Sequence, residues 1–427
     1  MWYAEGVPRF EPFRAVRYDV QRVDLSAVIA PPYDVIDPDE RRRLAGRHSA
    51  SSVRVELPEP DHRAGLDRYA HAAVQLRDWL EQRTLVRDAE PSLYAYRMTT
   101  AAGRATNGVL GALGINDADA RDILPHEQTL PKAKSDRLDL LSATRCNLSP
   151  IWGLSMTTGL TRLVVSDNAP DARAVDDDGT AHELWVLDEP RRIDAITGLV
   201  ASSPVVVADG HHRFETARAF FAADTATDDR GAGGKGPDQV SQARGAGSDL
   251  VLAFVVELAE DQLEVGAIHR GLSGLPDGID LTDAFGSWFD LTRAGDLDER
   301  TITALGESHT LALITPSGCW LLAPRDGTAE AAGADLDSAM VELVRAELPE
   351  HEVVFRRDWR HAARAVADGT LQAAVLIRPV TVRQIADWAD RRRRMPPKTT
   401  YFSPKPRTGM VFRTIDDPGA GPAHRKA

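Results

Sequence analysis

Apolar positions recur at two different spacings along the first half of the chain, and each spacing predicts a different element. One set follows helical spacing and predicts an amphipathic helix: Leu66, Tyr69, Ala70, Ala73, Leu76, Trp79 and Leu80. Two β-prone runs, 93–98 and 108–113, flank a turn at Gly103 and predict a β-hairpin. A chain that mixes both periods favours a mixed α+β fold.

A β-branched run passes into a helical pattern within a few residues. The run 204–208 is typical of a buried strand, and 214–221 predicts a helix. The junction between them consists of Asp209, Gly210, His211, His212 and Arg213. The first N–H groups of a helix lack internal partners and carry partial positive charge. Because His and Arg add donors in the same turn, the junction predicts an anion site.

The same patterns predict the organisation of the chain. We expect a main α+β domain over 1–270 and a C-terminal α/β region over 271–427, where short strands alternate with helices. Residues 223–248 are rich in Gly, Ala, Asp and Ser, a composition that predicts a mobile insertion. We also expect strands at 160–166 and 183–187, separated by a turn.

Composition narrows the classes of function. The net charge of −13 disfavours nucleic acid as a partner, although Arg391 to Arg394 form a local basic run. The two cysteines, Cys146 and Cys319, stand far apart, which disfavours a disulfide framework or a thiolate zinc site. The sequence shows neither a signal peptide nor an 18-residue apolar run, so we expect a cytoplasmic protein without a membrane partner. The oligomeric state stays open.

A second group of candidate residues follows Pro125. His126 and Glu127 offer a general base and a carboxylate for Mg²⁺, and Lys132 offers an ammonium group for phosphates. From the residues alone, a solvated loop explains this segment equally well. The HExxH pattern is absent, so no metal ligand is assigned.

Two proline-rich segments contribute the remaining candidates. Pro31 and Pro32 precede Tyr33 and Asp34 in a rigid turn, which is either a packing turn or a display of two polar groups. Lys398 and Lys405 lie in the block 396–409, which either returns to the site or forms a solvated tail.

Four blocks of the sequence resemble the signature of a bacterial and archaeal family, domain of unknown function family 1015. They are Ala30-Pro31-Pro32-Tyr33-Asp34-Val35-Ile36, Pro125-His126-Glu127-Gln128-Thr129, Ala208-Asp209-Gly210-His211-His212-Arg213 and Lys398-Thr399-Thr400-Tyr401-Phe402-Ser403-Pro404-Lys405. The resemblance runs from about residue 10 to about residue 415. The family name carries no activity.

The turn 209–213 is also similar to the phosphate-contacting turn of the ParB/sulfiredoxin-like superfamily, whose free-serine kinases have Asp-Gly-His-His-Arg there. This resemblance implies a ParB/sulfiredoxin-like core with additional strands and helices. It also implies phosphate binding by four residues: Gly210, His211, His212 and Arg213. Sulfiredoxin's reactive cysteine is replaced by His211, so repair of sulfinic acids is not implied.

Three functions remain open. The resemblance implies a nucleotide-dependent phosphotransferase that uses ATP or another nucleotide with Mg²⁺ and acts on a small hydroxylated metabolite, such as serine or another free hydroxy amino acid. Lys132, Lys398 and Lys405 would then assist with the phosphates, and the catalytic candidates are Glu127, His126, Asp34 and Asp209. The alternatives are a nucleotide-binding regulatory protein without turnover and a metal-dependent hydrolase.

Overall fold

The chain folds into two compact units. The structure, a computed structural model, describes residues 8–116, 119–125, 134–231, 247–295 and 297–416. The first unit contains the described residues up to Leu263 and those from Pro404 onward, and the second is Glu264–Ser403. We expected a boundary after residue 270, and the strand that begins at His269 pairs within the second unit.

The strands and helices are as follows. The strands are β1 (Phe10–Glu11), β2 (Val16–Tyr18), β3 (Leu85–Arg87), β4 (Leu93–Thr99), β5 (Ala105–Gly114), β6 (Ile123–Pro125), β7 (Cys146–Asn147), β8 (Ile151–Ser155), β9 (Ala172–Val175), β10 (Ala181–Leu187), β11 (Val205–Asp209), β12 (Leu250–Glu257), β13 (Glu264–Gly266), β14 (His269–Ser273), β15 (Phe289–Ala294), β16 (Leu311–Thr315), β17 (Gly318–Pro324), β18 (Glu352–Arg356), β19 (Ala373–Leu376), β20 (Tyr401–Ser403) and β21 (Arg413–Thr414). The helices are α1 (Leu25–Val28), α2 (Pro38–Arg47), α3 (Val53–Glu56), α4 (Arg68–Glu81), α5 (Lys134–Thr144), α6 (Leu160–Val164), α7 (Pro190–Val200), α8 (His211–Gly231), α9 (Leu281–Gly286), α10 (Glu299–Ser308), α11 (Thr328–Ala331), α12 (Asp337–Glu347), α13 (Trp359–Ala367) and α14 (Val382–Asp390), with 3₁₀ turns at Tyr33–Val35 and Asp119–Asp122.

A mixed sheet forms the centre of the first unit. Eight strands follow the order β6-β11-β8-β12-β5-β4-β10-β9, and β1 pairs with β5. β11 runs parallel to β6 and antiparallel to β8, while β8 runs parallel to β12. Helices α6, α7 and α8 contribute Leu160, Ile196 and Phe214 to the buried apolar cluster beside these strands. This architecture confirms the mixed α and β class.

Most local patterns predicted their elements correctly. The amphipathic pattern is α4, which begins after Asp67, whose carboxylate accepts hydrogen bonds from the N–H groups of Tyr69 and Ala70. The hairpin is β4 paired with β5, and Gly103 turns with a φ of 84°. The predicted strand at 160–166 is wrong, because this segment is helix α6. Leu160 and Val164 are both buried four residues apart, a spacing that places them on one helical face.

The predicted insertion at 223–248 is partly a regular helix. α8 continues to Gly231, so residues 223–231 are helical, and 232–246 lie outside the described residues. Alanines such as Ala222 and Ala223 are strong helix formers, which outweighs the lack of large apolar groups. Arg145 also anchors this part of α8, with its Nη1 3.3 Å from Oδ1 of Asp224.

The second unit has its own antiparallel sheet and its own core. Six strands follow the order β15-β17-β16-β19-β14-β18, and β13 pairs separately with β20. Phe285, Leu313 and Val344 belong to the buried apolar cluster of this unit. Every helix in the described part of the chain is too short or too polar to span a bilayer.

Candidate functional site

The junction between β11 and α8 is a sharp turn that requires glycine. β11 is buried from Val205 to Ala208, and Asp209 ends it. Gly210 follows with a φ of 89°, and a Cβ atom there would lie only 3.1 Å from the Cα of Ile151. A side chain at this position would therefore meet both backbone strain and a backbone contact. Helix α8 begins at once, with His211.

The first turn of α8 offers amide groups and imidazoles but no carboxylate. The Phe214 N–H donates to the carbonyl of Gly210 at 2.9 Å, so the N–H groups of residues 211–213 have no carbonyl of the helix to donate to. None of the residues in this turn is acidic, and both His211 and His212 are partly exposed. Such a turn suits an anion, because the helix dipole adds to the hydrogen bonds.

Arg213 folds back against the turn instead of extending into solvent. Its Nη2 donates to Oδ2 of Asp209 at 2.7 Å, and its Nη1 donates to the carbonyl of Pro150. Only 11% of the side chain is exposed. The guanidinium charge therefore stays beside the start of α8, but two of its donors are engaged within the protein.

The segment after Pro404 brings a second cation to the turn. Lys405 donates from Nζ to Oδ1 of Asp209, and the same nitrogen lies 3.9 Å from Oδ2 of Asp34. Burial raises the pKa of Asp209, but the charges of Lys405 and Arg213 outweigh burial and hold it below its ordinary value. Asp209 is therefore better suited to positioning these two cations than to accepting a proton.

Tyr33 and Arg137 form a cation–π pair near Arg213. The Arg137 guanidinium lies over the ring of Tyr33, 4.5 Å from its centroid. Arg137 also donates to the carbonyl of Glu56 at 2.7 Å and to Oδ2 of Asp136 at 2.5 and 2.8 Å. Burial raises the pKa of Tyr33, although the charges of Arg213 and Arg137 oppose it, so Tyr33 is a hydrogen-bond donor at neutral pH.

A small cavity lies beside Arg213 and contains an acid that sequence reasoning missed. Its volume is about 50 Å³. Glu56 lines it, 2% exposed, and its Oε1 accepts from Oγ of Ser149 at 3.1 Å. Burial raises the pKa of Glu56, with Arg137 and Arg213 opposing the shift. The available signal was a lone carboxylate inside the mostly apolar run 53–57.

The described residues bring together only some of the predicted site. Asp34, Asp209, Gly210, Arg213 and Lys405 lie in one cluster, with His211 and His212 on the same turn. Lys398 belongs to the second unit, where its carbonyl accepts from Arg270. His126, Glu127 and Lys132 lie outside the described residues. Within the described ranges, no group of three or more His, Cys, Asp or Glu side chains could hold a metal ion.

The family described as "Protein of unknown function (DUF1015)" matches residues 10–343, and the chain belongs to this family. This finding confirms the family resemblance, and the match contains three of the four sequence blocks, since the block 398–405 lies beyond it. The comparison with curated proteins gives no match.

Solved structures show distant likenesses. A conserved hypothetical protein from Pyrococcus furiosus is 11% identical, with a TM-score of 0.36, over 73% of this chain and 97% of that one. A free serine kinase in complex with AMP is 11% identical, with a TM-score of 0.37, over 73% and 92%. SbnI with a C-terminal truncation, from Staphylococcus aureus, is 11% identical, with a TM-score of 0.37, over 71% and 86%.

Proposed function

We propose that this protein binds the phosphates of a nucleotide at the start of α8 and transfers a phosphoryl group to a small hydroxylated metabolite. The observation that carries the proposal is the first turn of α8, which holds the first amides of the helix, two imidazoles and an arginine and contains no acidic residue of its own. The similarity of the turn 209–213 to that of the free-serine kinases supports a nucleotide over other anions. The same similarity supports a ParB/sulfiredoxin-like core.

Different residues at the turn would hydrogen-bond to the phosphates and neutralise their charge. The amides after Gly210 and the side chains of His211 and His212 bind phosphate oxygens. Arg213 and Lys405 neutralise charge beside them, since Asp209 already holds both cations at the turn. Lys132 is a further candidate for the same task.

Phosphoryl transfer needs alignment and charge neutralisation more than covalent help. The acceptor's hydroxyl oxygen forms a bond to the terminal phosphorus, and the bond from that phosphorus to the bridging oxygen breaks. The nucleotide leaves one phosphate shorter, and the hydroxyl proton passes to a carboxylate or imidazole. Glu127, His126 and Asp34 are the candidates to receive it.

The described residues offer one carboxylate for contact with a magnesium ion, but within the described ranges they form no complete metal site. Asp34 is 44% exposed and lies near Lys405, whereas both oxygens of Asp209 already accept hydrogen bonds from cations. Asp34 would supply one carboxylate contact to the ion. When bound, Mg²⁺ would neutralise charge on the phosphate oxygens.

A regulatory protein without turnover is a second candidate, favoured by one feature. Arg213 and Lys405 are both paired with Asp209 before any ligand binds. A nucleotide that draws either cation away would rearrange this cluster, which is how a ligand-dependent switch works.

The test of nucleotide binding is calorimetric titration with Mg-ATP. We expect His212→Ala and Arg213→Ala each to weaken binding by roughly tenfold or more, because each loses a charge-assisted or polar contact worth about 1.5 kcal/mol. Arg218→Ala is the matched control, since Arg218 is an exposed arginine on the same helix. Unchanged ATP affinity in both variants would refute the site.

An assay of ADP formation distinguishes the phosphotransferase from the regulatory protein without turnover. The parent protein is incubated with ATP and a panel of hydroxy amino acids and hydroxy acids. ADP formation that depends on one acceptor supports the phosphotransferase, and tight binding without acceptor-dependent ADP supports the switch.

A further inference from the structure

The cavity beside Arg213 is large enough for a few heavy atoms. A single water needs about 10–15 Å³ measured in the same way, and this cavity has about 50 Å³. Arg213 and Thr216 line it from α8, Glu56 from α3 and Arg137 from α5. Because Arg213 belongs both to the turn 209–213 and to this wall, the cavity adjoins the proposed phosphate site.

The charges around the cavity leave one carboxylate without a full partner. Asp136 pairs with Arg137, and Asp209 pairs with Nη2 of Arg213, whose buried Nε has no hydrogen-bond partner among the described residues. Glu56 is 4.0 Å from Arg137 at its nearest, and its Oε2 has no hydrogen-bond partner among the described residues although it is buried. Buried carboxylates are normally paired and hydrogen-bonded. This one is therefore a candidate for pairing with a bound cation.

The rest of the wall combines hydroxyl groups with aliphatic surface. Thr216 is 4% exposed, and within the described ranges its Oγ1 lacks a hydrogen-bond partner. Ser149 supplies a second hydroxyl, which donates to Glu56. Leu140 and Leu148 cover the apolar side. Such a wall suits a molecule with an ammonium group, a hydroxyl group and a short carbon chain.

We propose that this cavity binds a small hydroxylated amine, whose ammonium group pairs with Glu56 and whose hydroxyl group meets Thr216. The proposal rests on the proposed function, in which this amine is the phosphoryl acceptor. A polyol leaves the Glu56 carboxylate without an ionic partner, and a hydroxy acid brings a second negative charge to it. The site therefore selects amines over both.

Selectivity of the parent protein gives the first test, by calorimetric titration without nucleotide. The probes are ethanolamine, glycerol and glycolate. We expect ethanolamine to bind at least tenfold more tightly than glycerol, and glycolate to bind most weakly. Equal affinities, or a preference for glycolate, would overturn the proposal. This measurement needs no variant, so it decides the matter even if a variant fails to fold.

Variants locate the site. Glu56→Gln keeps the shape of the side chain and removes its charge, so amine affinity falls at least tenfold while Mg-ATP affinity stays unchanged. Thr216→Val weakens amine binding without removing charge. Glu59→Gln is the control, because Glu59 is an exposed acid three residues away. Amine binding that survives both Glu56→Gln and Thr216→Val overturns the assignment to this cavity.

The two proposals fail in different ways. If the parent binds amines but not Mg-ATP, the proposed function is wrong, while the cavity remains an amine site. If the parent binds Mg-ATP and shows acceptor-dependent turnover with no preference for amines, the inference about the cavity is wrong and the phosphotransferase stands.

Discussion

Glu56 is a buried acid and Asp209 a partly buried one, and their surroundings move their pKa values in opposite directions. Burial raises the pKa of both groups. At Asp209, Lys405 and Arg213 are hydrogen-bonded directly to the carboxylate, and their charges lower its pKa by more than burial raises it. At Glu56, the nearest guanidinium is 4.0 Å away, and burial raises the pKa by more than that charge lowers it. Direct contact with a cation therefore decides which form of each acid the fold favours.

The first prediction concerns the stability of Glu56→Gln. The folded-state pKa of Glu56 lies above its unfolded value, so its favourable contribution is complete below about pH 4 and is lost as the pH rises through the folded-state pKa. The free energy of unfolding of Glu56→Gln should therefore increase relative to that of the parent as the pH rises from 4 to 8, by on the order of 1 kcal/mol.

Urea unfolding at several pH values measures this difference, with Glu59→Gln as the exposed control. A variant that is equally stable relative to the parent at pH 4 and pH 8 would show that burial does not penalise the Glu56 charge.

The residue types of the site were predictable from sequence, but their contacts were not. The turn 209–213 is local in sequence, so its donors could be recognised. Glu56 gains its role from Ser149 and Arg137, which are distant in the chain. Arg213 was expected to supply donors to an anion, yet it also donates to Pro150, whose position beside the turn depends on the pairing of β8 with β11.

At the scale of elements, the transition from β11 to α8 depends on one residue. Gly210 adopts a positive φ and sits against the backbone of Ile151, which lets a fully buried strand turn into a helix without a longer loop. The position of the first amides of α8 follows from this turn.

The second prediction is that Gly210→Ala destabilises the protein by about 2 kcal/mol, because alanine is strained at this φ and its Cβ meets Ile151. ATP affinity should fall as well, since the amides of α8 shift. Gly198→Ala is the control, because a Cβ atom on that helical glycine meets nothing within 4 Å. Thermal unfolding and calorimetry measure both effects, and a Gly210→Ala protein as stable as the parent would contradict the strain argument.

Elements with a long periodic pattern were predictable, whereas short ones were not. α4 and the hairpin of β4 and β5 carry enough repeats for their period to be read. Helix α6 spans only Leu160–Val164, and in so short a segment β-branched residues favour a strand while tertiary packing selects the helix. The extension of α8 to Gly231 was missed because the segment was interpreted from its overall composition, in which its alanines were not weighed as helix formers.

At the scale of the molecule, buried arginines of the segment that begins at Pro404 form hydrogen bonds with the rest of the first unit. Arg407 donates to Oδ2 of Asp176, which also contacts Nε2 of His182 at 2.9 Å, and Nδ1 of His182 meets the Tyr96 hydroxyl at 2.7 Å. Arg413, 2% exposed, donates to backbone carbonyls at Gly247 and Leu250. These contacts hold Lys405 in place.

The third prediction is that Arg407→Met destabilises the protein by about 3 kcal/mol at pH 7, because it leaves a buried carboxylate without its cation. Burial raises the pKa of Asp176, but hydrogen bonding to His182 and the charge of Arg407 hold it below its ordinary value. The stability from Asp176 is therefore complete above about pH 4 and is lost as the pH falls through its folded-state pKa.

Urea unfolding of the parent and of Arg407→Met at pH 7 and below pH 4 tests the ion pair. The gap between the two proteins should narrow in acid, as Asp176 becomes protonated. Arg391→Met, at an exposed arginine of the second unit, is the control. A gap that is constant with pH would mean that packing, and not the charge pair, is what Arg407 contributes.

The order of the units along the chain was the least predictable feature. The sequence left open whether the block 396–409 returns to the site or forms a solvated tail, and we expected one C-terminal region over 271–427. Pairing of β13 with β20 brings the two ends of the second unit together, with Glu264 opposite Ser403. Such pairing joins residues far apart in sequence, and no local pattern encodes it.

This arrangement has a consequence for biosynthesis. A ribosome makes the sheet of the first unit, then all of Glu264–Ser403, and only afterwards the lysine that pairs with Asp209. A nascent chain therefore carries the turn 209–213 for a long interval without its second cation. The pairing of Lys405 with Asp209 would form only when translation has passed the second unit, so chains arrested before that point would lack it.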